Sequence, residues 1–92
     1  MTPRFNVDFN ELLESDLLML SQTDLRQDIH GNAVQLMPGM SIEVQQESRY
    51  ADGSHELLWA RGVVEVNVTG QWLHVKWCCR LDARGIRDAM AQ

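Results

Sequence analysis

The sequence has only two cysteines, and they are adjacent, at Cys78 and Cys79. A structural zinc site needs four ligands at spacings such as C-x-x-C or H-x-x-x-H, and neither spacing occurs. Because neighbouring side chains on a strand point to opposite faces, the two thiols would not bind one ion together. A disulfide between them would need a strained turn. The sequence therefore predicts two reduced thiols, no metal site and no disulfide framework.

Long apolar segments are also missing. No apolar run approaches the roughly 20 residues that span a bilayer, and residues 1–8 lack the apolar stretch of a signal peptide. We therefore expect a cytoplasmic protein with no membrane partner. A chain of 92 residues, 45% hydrophobic and 23% charged, has the composition of a globular protein rather than a disordered one. Its length allows one domain, which we predict over 1–92.

Positive charge is scarce. Eight Lys and Arg residues stand against thirteen Asp and Glu, which gives a net charge of −5, and Lys76 is the only lysine. The charge is uneven, with −7 over residues 1–56 and +2 over residues 57–92. Nucleic-acid binding driven by counterion release needs clustered cations that face phosphates. The acidic balance argues against this class, although the C-terminal third could still form a local basic face.

Motifs of nucleotide-binding and hydrolytic enzymes are absent: the sequence contains no G-x-G-x-x-G, no G-x-x-x-x-G-K-[ST] and no G-x-S-x-G. Asp24, Asp28 and Asn32 recur every four residues, which is not the ligand spacing of a calcium loop. His74 and Cys78 suggest a base and a nucleophile, but four residues along one strand separate them by about 13 Å. We therefore predict no catalytic residues, no cofactor and no enzymatic activity.

The N-terminal segment carries a helix-start signature. Asp8 can cap a helix, and Glu11, three residues later, can reach back to the cap. Three apolar side chains then share one face at helical spacing: Phe9, Leu12 and Leu13. The pattern predicts a short N-terminal helix over about 8–14.

The remaining sequence has turn residues between short apolar segments, which is typical of antiparallel β-structure. Gly31 and Asn32 tolerate positive φ in a hairpin turn, and Pro38-Gly39 suits the centre of a type II turn. Residues 40–47 alternate apolar with polar, as a strand with one wet face should. We therefore predict a mainly β fold with a short N-terminal helix. It would be a small SH3-like barrel or a curled antiparallel sheet of about five or six strands.

The longest predicted feature is a β-hairpin over 57–81, in which Leu57–Val68 and Gln71–Leu81 flank a two-residue turn. In that register the numbers of paired residues sum to 139. One face is then wholly apolar, and Gly62 lies opposite the bulky Trp77, around which we expect the core. An even sum would pair inner with outer residues unless a bulge intervened.

The other face of this hairpin carries the candidate binding residues. They are Trp59, Arg61, Trp72, His74, Lys76 and Arg80. The register predicts a Glu65–His74 pair and a stacked Trp59–Arg80 pair on this face. Three interpretations are open: the N-terminal helix covers the face, another protein or a second copy of the chain contacts it, or it binds a small ligand.

We predict a non-enzymatic protein-interaction or assembly module whose partner is another protein or itself, as a homodimer. Trp59 and Trp72 would anchor the contact, and Arg61, Lys76 and Arg80 would fix its register. The alternative is a domain that binds an anionic small molecule or single-stranded nucleic acid on the same Trp/Arg face. An enzyme that uses the histidine or thiol of this hairpin is a third hypothesis.

Overall fold

A computed structural model describes residues 2–89 of the chain, which form nine strands and no helix. The strands are β1 Arg4–Asn6, β2 Leu12–Glu14, β3 Leu17–Ser21, β4 Leu25–Gln27, β5 Ala33–Gln35, β6 Ser41–Arg49, β7 His55–Val66, β8 Trp77–Leu81 and β9 Arg87–Asp88. The prediction of a mainly β fold is confirmed. There are more strands than the five or six expected, because several have only two or three residues.

Seven of the strands form one open, mixed sheet. Its order is β1-β6-β7-β8-β3-β2, and β9 pairs with β7 beside β8. The β1–β6 pair is parallel and every other pair is antiparallel. Strands β4 and β5 form a separate two-stranded ribbon. Within residues 2–89, no helix is long and apolar enough to cross a membrane.

The predicted N-terminal helix over 8–14 is wrong. Asp8 caps a single turn, in which its carboxylate accepts from the Asn10 amide and its carbonyl from the Glu11 amide. The chain then becomes extended as β2 and pairs with β3. A helix of seven residues forms few internal hydrogen bonds to offset its nucleation cost, whereas β2 forms hydrogen bonds with β3 at the edge of an existing sheet. Phe9, expected on the helix, is buried in the core.

The predicted hairpin register is also wrong, by four residues. Paired residue numbers of β7 and β8 sum to 143, so that Gly62 lies opposite Leu81 and Val66 lies opposite Trp77. Residues 67–76 form a loop of ten residues rather than a two-residue turn. Because both sums are odd, the two faces of β7 and of β8 keep the side chains expected of them. A Cβ at Gly62 would meet the Arg80 carbonyl, so this glycine permits close approach of β8.

Two apolar clusters lie on opposite faces of the sheet. The larger contains Trp77, as expected, and its other buried members are Phe5, Phe9, Leu18, Leu20, Leu36, Ile42, Val44, Ala60, Val64, Cys79 and Leu81. The smaller consists of Leu17, Met19, Val75 and Cys78, with Leu13 packed against it. Strand β3 therefore contributes to both clusters. The prediction of one domain over 1–92 stays a prediction.

Candidate functional site

The six residues predicted to share a binding face lie in three separate environments. Trp59 and Arg61 are on β7, and Arg80 is on β8 among carboxylates. The other three, Trp72, His74 and Lys76, lie in the loop between β7 and β8. The register shift causes this separation, because the loop contains residues that we expected on a strand.

Trp59 is covered by arginines. The guanidinium of Arg87, from β9, lies 4.1 Å from the indole centroid, and those of Arg4 and Arg61 each lie 5.4 Å away. The predicted Trp59–Arg80 stack is therefore wrong: Arg87 stacks on Trp59 instead, because β9 pairs with this part of β7. Cation–π contacts of this kind hold both groups in place. Trp59 packs within its own chain.

Glu43 forms ion pairs with two of these arginines. Its carboxylate accepts from Arg4 at 3.0 Å and from Arg61 at 3.1 Å. Burial opposes ionisation of Glu43, but the hydrogen bonds from the two guanidinium groups outweigh it and lower the pKa of this carboxyl. The cluster therefore ties β1, β6 and β7 together through ion pairs within the protein.

Arg80 also contacts its own chain. Its guanidinium lies 3.0 Å from Glu14, 2.7 Å from Asp16 and 3.3 Å from Glu65. The hydrogen bonds that Arg80 donates to these carboxylates raise its pKa. Glu65 thus pairs with Arg80, and the predicted Glu65–His74 pair is wrong. This contact fastens the β2–β3 turn onto β7 and β8.

Lys76 closes the loop against the β3–β4 connection. Its Nζ lies 2.6 Å from Oδ1 of Asp24 and 5.6 Å from the Trp77 ring centroid. The hydrogen bond from Lys76, followed by that from the Trp77 indole, lowers the pKa of Asp24. Lys76 therefore fastens the loop to the body of the protein.

The side chain of Asn67 holds the β7–β8 loop, residues 67–76, together from within. Nδ2 of Asn67 donates to the carbonyls of Gln71, Trp72 and Val75 at 2.9, 3.2 and 3.0 Å. Oδ1 of Asn67 accepts from the amide and the hydroxyl of Thr69 at 3.1 and 2.7 Å. An asparagine that hydrogen-bonds its own backbone in this way defines a turn. The loop therefore has one preferred conformation.

This loop presents large apolar side chains to solvent. Leu73 is 87% exposed, Val68 is 86% exposed and Trp72 is 49% exposed. Trp72 has φ of +51°, the one positive value at a non-glycine position within residues 2–89. The centroids of the Trp72 and His74 rings lie 5.8 Å apart in an edge-to-face arrangement. Trp72 was expected on the binding face. Leu73 was missed, because the expected register placed it inside, opposite Val66.

The two thiols are fully buried, on opposite faces of β8. Burial raises the pKa of Cys78, and it raises the pKa of Cys79 to about 12. A thiol held protonated is a poor nucleophile. In the described part of the chain, no group of three or more His, Cys, Asp or Glu side chains is placed to hold a metal ion.

No family model matches this chain, and neither a curated protein nor a solved structure is significantly similar to it.

Proposed function

We propose that this chain is a non-enzymatic protein-interaction or assembly module and that it contacts its partner through the β7–β8 loop. The observation that carries the proposal is the exposure of Leu73, Val68 and Trp72 on a loop that Asn67 holds in place. Exposed apolar surface gains roughly 25 cal/mol per Å² when a partner covers it. Because the loop is already ordered, association loses little conformational entropy there.

The contact residues differ in part from those expected from the sequence. Trp72 is retained as an anchor and Leu73 is added. Trp59 and Arg80 are assigned to the fold, because Trp59 packs against arginines and Arg80 pairs with carboxylates of the same chain. Lys76 is likewise engaged, with Asp24, and we propose that it positions the loop.

The partner is a protein with an apolar contact surface, and a second copy of this chain, forming a homodimer, is the first candidate. We place the module in the cytoplasm, where the unpaired Cys78 and Cys79 stay reduced. For the fold, we propose a small SH3-like barrel arrangement rather than a flat sheet. The long β7 supports this, because β6 follows one of its edges while β8 and β9 share the other.

Two leucine variants test the proposal. Leu73→Ser removes the most exposed apolar side chain of the loop, and Leu25→Ser is the matched control because Leu25 is 56% exposed on β4. Light scattering after size-exclusion chromatography, over a concentration series, should show association for the wild type and Leu25→Ser but not for Leu73→Ser.

A strictly monomeric wild type would direct the test to a different protein partner. Cross-linking in cells should then recover a contact that Leu25→Ser keeps and Leu73→Ser loses. The proposal is wrong if the two variants behave alike in both experiments.

An anionic ligand beside Trp59 and Arg61 is the second candidate function, and the observation that favours it is the exposure of the Arg61 side chain next to the Trp59 ring. Glu43 already neutralises part of this charge. Binding of labelled oligothymidylate would be expected to weaken steeply with salt and with Arg61→Gln. Salt-independent anisotropy, equal in both proteins, would exclude it.

A further inference from the structure

A cleft of about 480 Å³ lies between the N-terminal segment, β3 and the base of the β7–β8 loop. Met19, Leu20 and Val75 contribute apolar surface to it. Its polar lining includes Arg26 and His74 together with two carboxylates, Asp8 and Glu11. This volume is within the usual range for sites that bind small molecules.

Arg26 is the unusual member of this lining. Its Nη2 donates to the carbonyl of Asn6, and its guanidinium lies 5.3 Å from the Phe5 ring centroid. Its Nη1 is enclosed and has no hydrogen-bond partner among the described residues. Desolvation by this burial lowers the pKa of Arg26, and Glu11 offsets only part of the effect. A buried donor without a partner calls for an explanation.

Ion pairing separates Arg26 from the other cations, including Arg87, whose Nε and Nη2 are also enclosed without a hydrogen-bond partner. Each of six has a carboxylate within 4.0 Å: Arg4, Arg49, Arg61, Lys76, Arg80 and Arg87. Arg84 is exposed to water. Among the arginines and the lysine of residues 2–89, Arg26 is thus the one that is partly buried without an ion pair. A guanidinium in this situation is prepared for an anion from outside the chain.

The carboxylates of the cleft restrict the kind of anion. Asp8 uses one oxygen to accept from the Asn10 amide, and the Glu11 side chain makes no hydrogen bond or ion pair with residues 2–89. A ligand with negative charge alone would be repelled by both acids. A ligand that also carries an ammonium group would be attracted to them.

We propose that this cleft binds a compact zwitterion, an α-amino acid. Its carboxylate accepts from Arg26, and its ammonium group donates to Glu11 and Asp8. Its side chain lies on the apolar surface of Met19 and Val75. Nη1 is enclosed in this structure, so binding requires the Arg26 side chain to turn toward the cleft. The inference does not depend on the loop's protein partner.

Isothermal titration calorimetry of the wild-type protein with each of the twenty standard L-amino acids tests the proposal. We expect saturable binding, tightest for an aliphatic amino acid. The N-acetyl form of the tightest binder lacks the ammonium group, and its amide lacks the carboxylate. Each should bind about tenfold or more weakly, since each loses a charged hydrogen bond. The proposal is overturned if no amino acid binds at 10 mM, or if both blocked forms bind as well as the parent.

Single-residue variants test whether the amino acid binds in this cleft. Arg26→Gln and Glu11→Gln should each weaken binding about tenfold or more, and Arg84→Gln, which changes an exposed arginine, should not. Arg26 also contacts Asn6 and Phe5, so its variant must first be shown to fold by circular dichroism. Glu11→Gln removes no internal hydrogen bond or ion pair, only a charge interaction with Arg26, and therefore decides the matter. Unchanged binding by Glu11→Gln would refute this site. Loop-mediated association should persist in that variant, which separates the two proposals.

Discussion

Replacing Asn67 by alanine should release the β7–β8 loop while leaving the sheet folded. The side-chain amide group of Asn67 makes five hydrogen bonds, of which the one to Val75 and the two from Thr69 are partly buried. At about 0.5–1.5 kcal/mol each, those three contribute about 2–3 kcal/mol to the free energy of opening the loop. Hydrogen bonds to water replace most of the stabilisation that the two exposed hydrogen bonds provide. Opening should therefore become about 30- to 150-fold more frequent.

Amide hydrogen exchange measures this opening at single residues. The Val75 amide donates to the Trp72 carbonyl within the loop, and the Val64 amide donates to the Met40 carbonyl outside it. In Asn67→Ala, exchange at Val75 should accelerate by the factor above, whereas exchange at Val64 should follow global stability only.

Asn67→Asp is the matched control. The aspartate keeps an oxygen that accepts from Thr69 but loses the donor to the three carbonyls, so exchange at Val75 should be intermediate. If exchange at Val75 in Asn67→Ala stays within about threefold of the wild-type rate, the side chain does not hold the loop and the reasoning fails. If the loop opens but association is unchanged, the argument from pre-organisation fails instead.

Two further predictions concern the sheet. Gly62→Ala should lower the free energy of unfolding by about 2–3 kcal/mol, because a Cβ would meet the Arg80 carbonyl and lie 2.6 Å from Sγ of Cys79. Urea unfolding measures the loss, and a value below about 1 kcal/mol would contradict the register. The lowered pKa of Glu43 means that its ionised form stabilises the fold above its ordinary pKa of 4.5, and that this stability is lost as pH falls through the lowered value. Stability of Glu43→Gln should decline less steeply below pH 4.5; a decline parallel to that of the wild type would refute the contribution.

Local patterns predicted several strands correctly. The alternation in residues 40–47 matches β6, in which Ile42 and Val44 are buried and face the same side. Asp52 and Gly53, which are typical turn residues, lie in the loop between β6 and β7. These features depend on neighbours in the sequence, since side chains alternate with a period of two on any strand.

The helix prediction failed where local and tertiary preferences compete. Asp8 and Glu11 carry a capping signal, and the structure keeps its first turn. The turn does not continue, because Leu13 packs with the smaller apolar cluster and Phe9 enters the larger one on the opposite face of the sheet. No helix face of seven residues could meet both. Tertiary contacts therefore override the local preference.

The candidate loop was partly visible in the sequence. Asn67 and Thr69 beside Gly70 are typical turn residues, and they indicate a loop in which asparagine binds its own backbone. Leu73 and Val75, however, fit a strand by alternation, so the pattern favoured a longer hairpin. The pairing of β8 with both β7 and β3 decides where the strand begins. The β3–β8 pairing joins segments more than fifty residues apart.

The sequence by itself determined the β class of this protein, the side chains that share each face of β7 and β8, and the exclusion of known catalytic motifs. Only the tertiary structure decided the hairpin register, the loop that exposes Leu73, and the cleft in which Arg26 has no ion pair. The physical reason is the distance along the sequence over which each kind of interaction acts. Side-chain alternation and turn preference act over a few residues, whereas register, burial and ion pairing depend on which distant strands pack together.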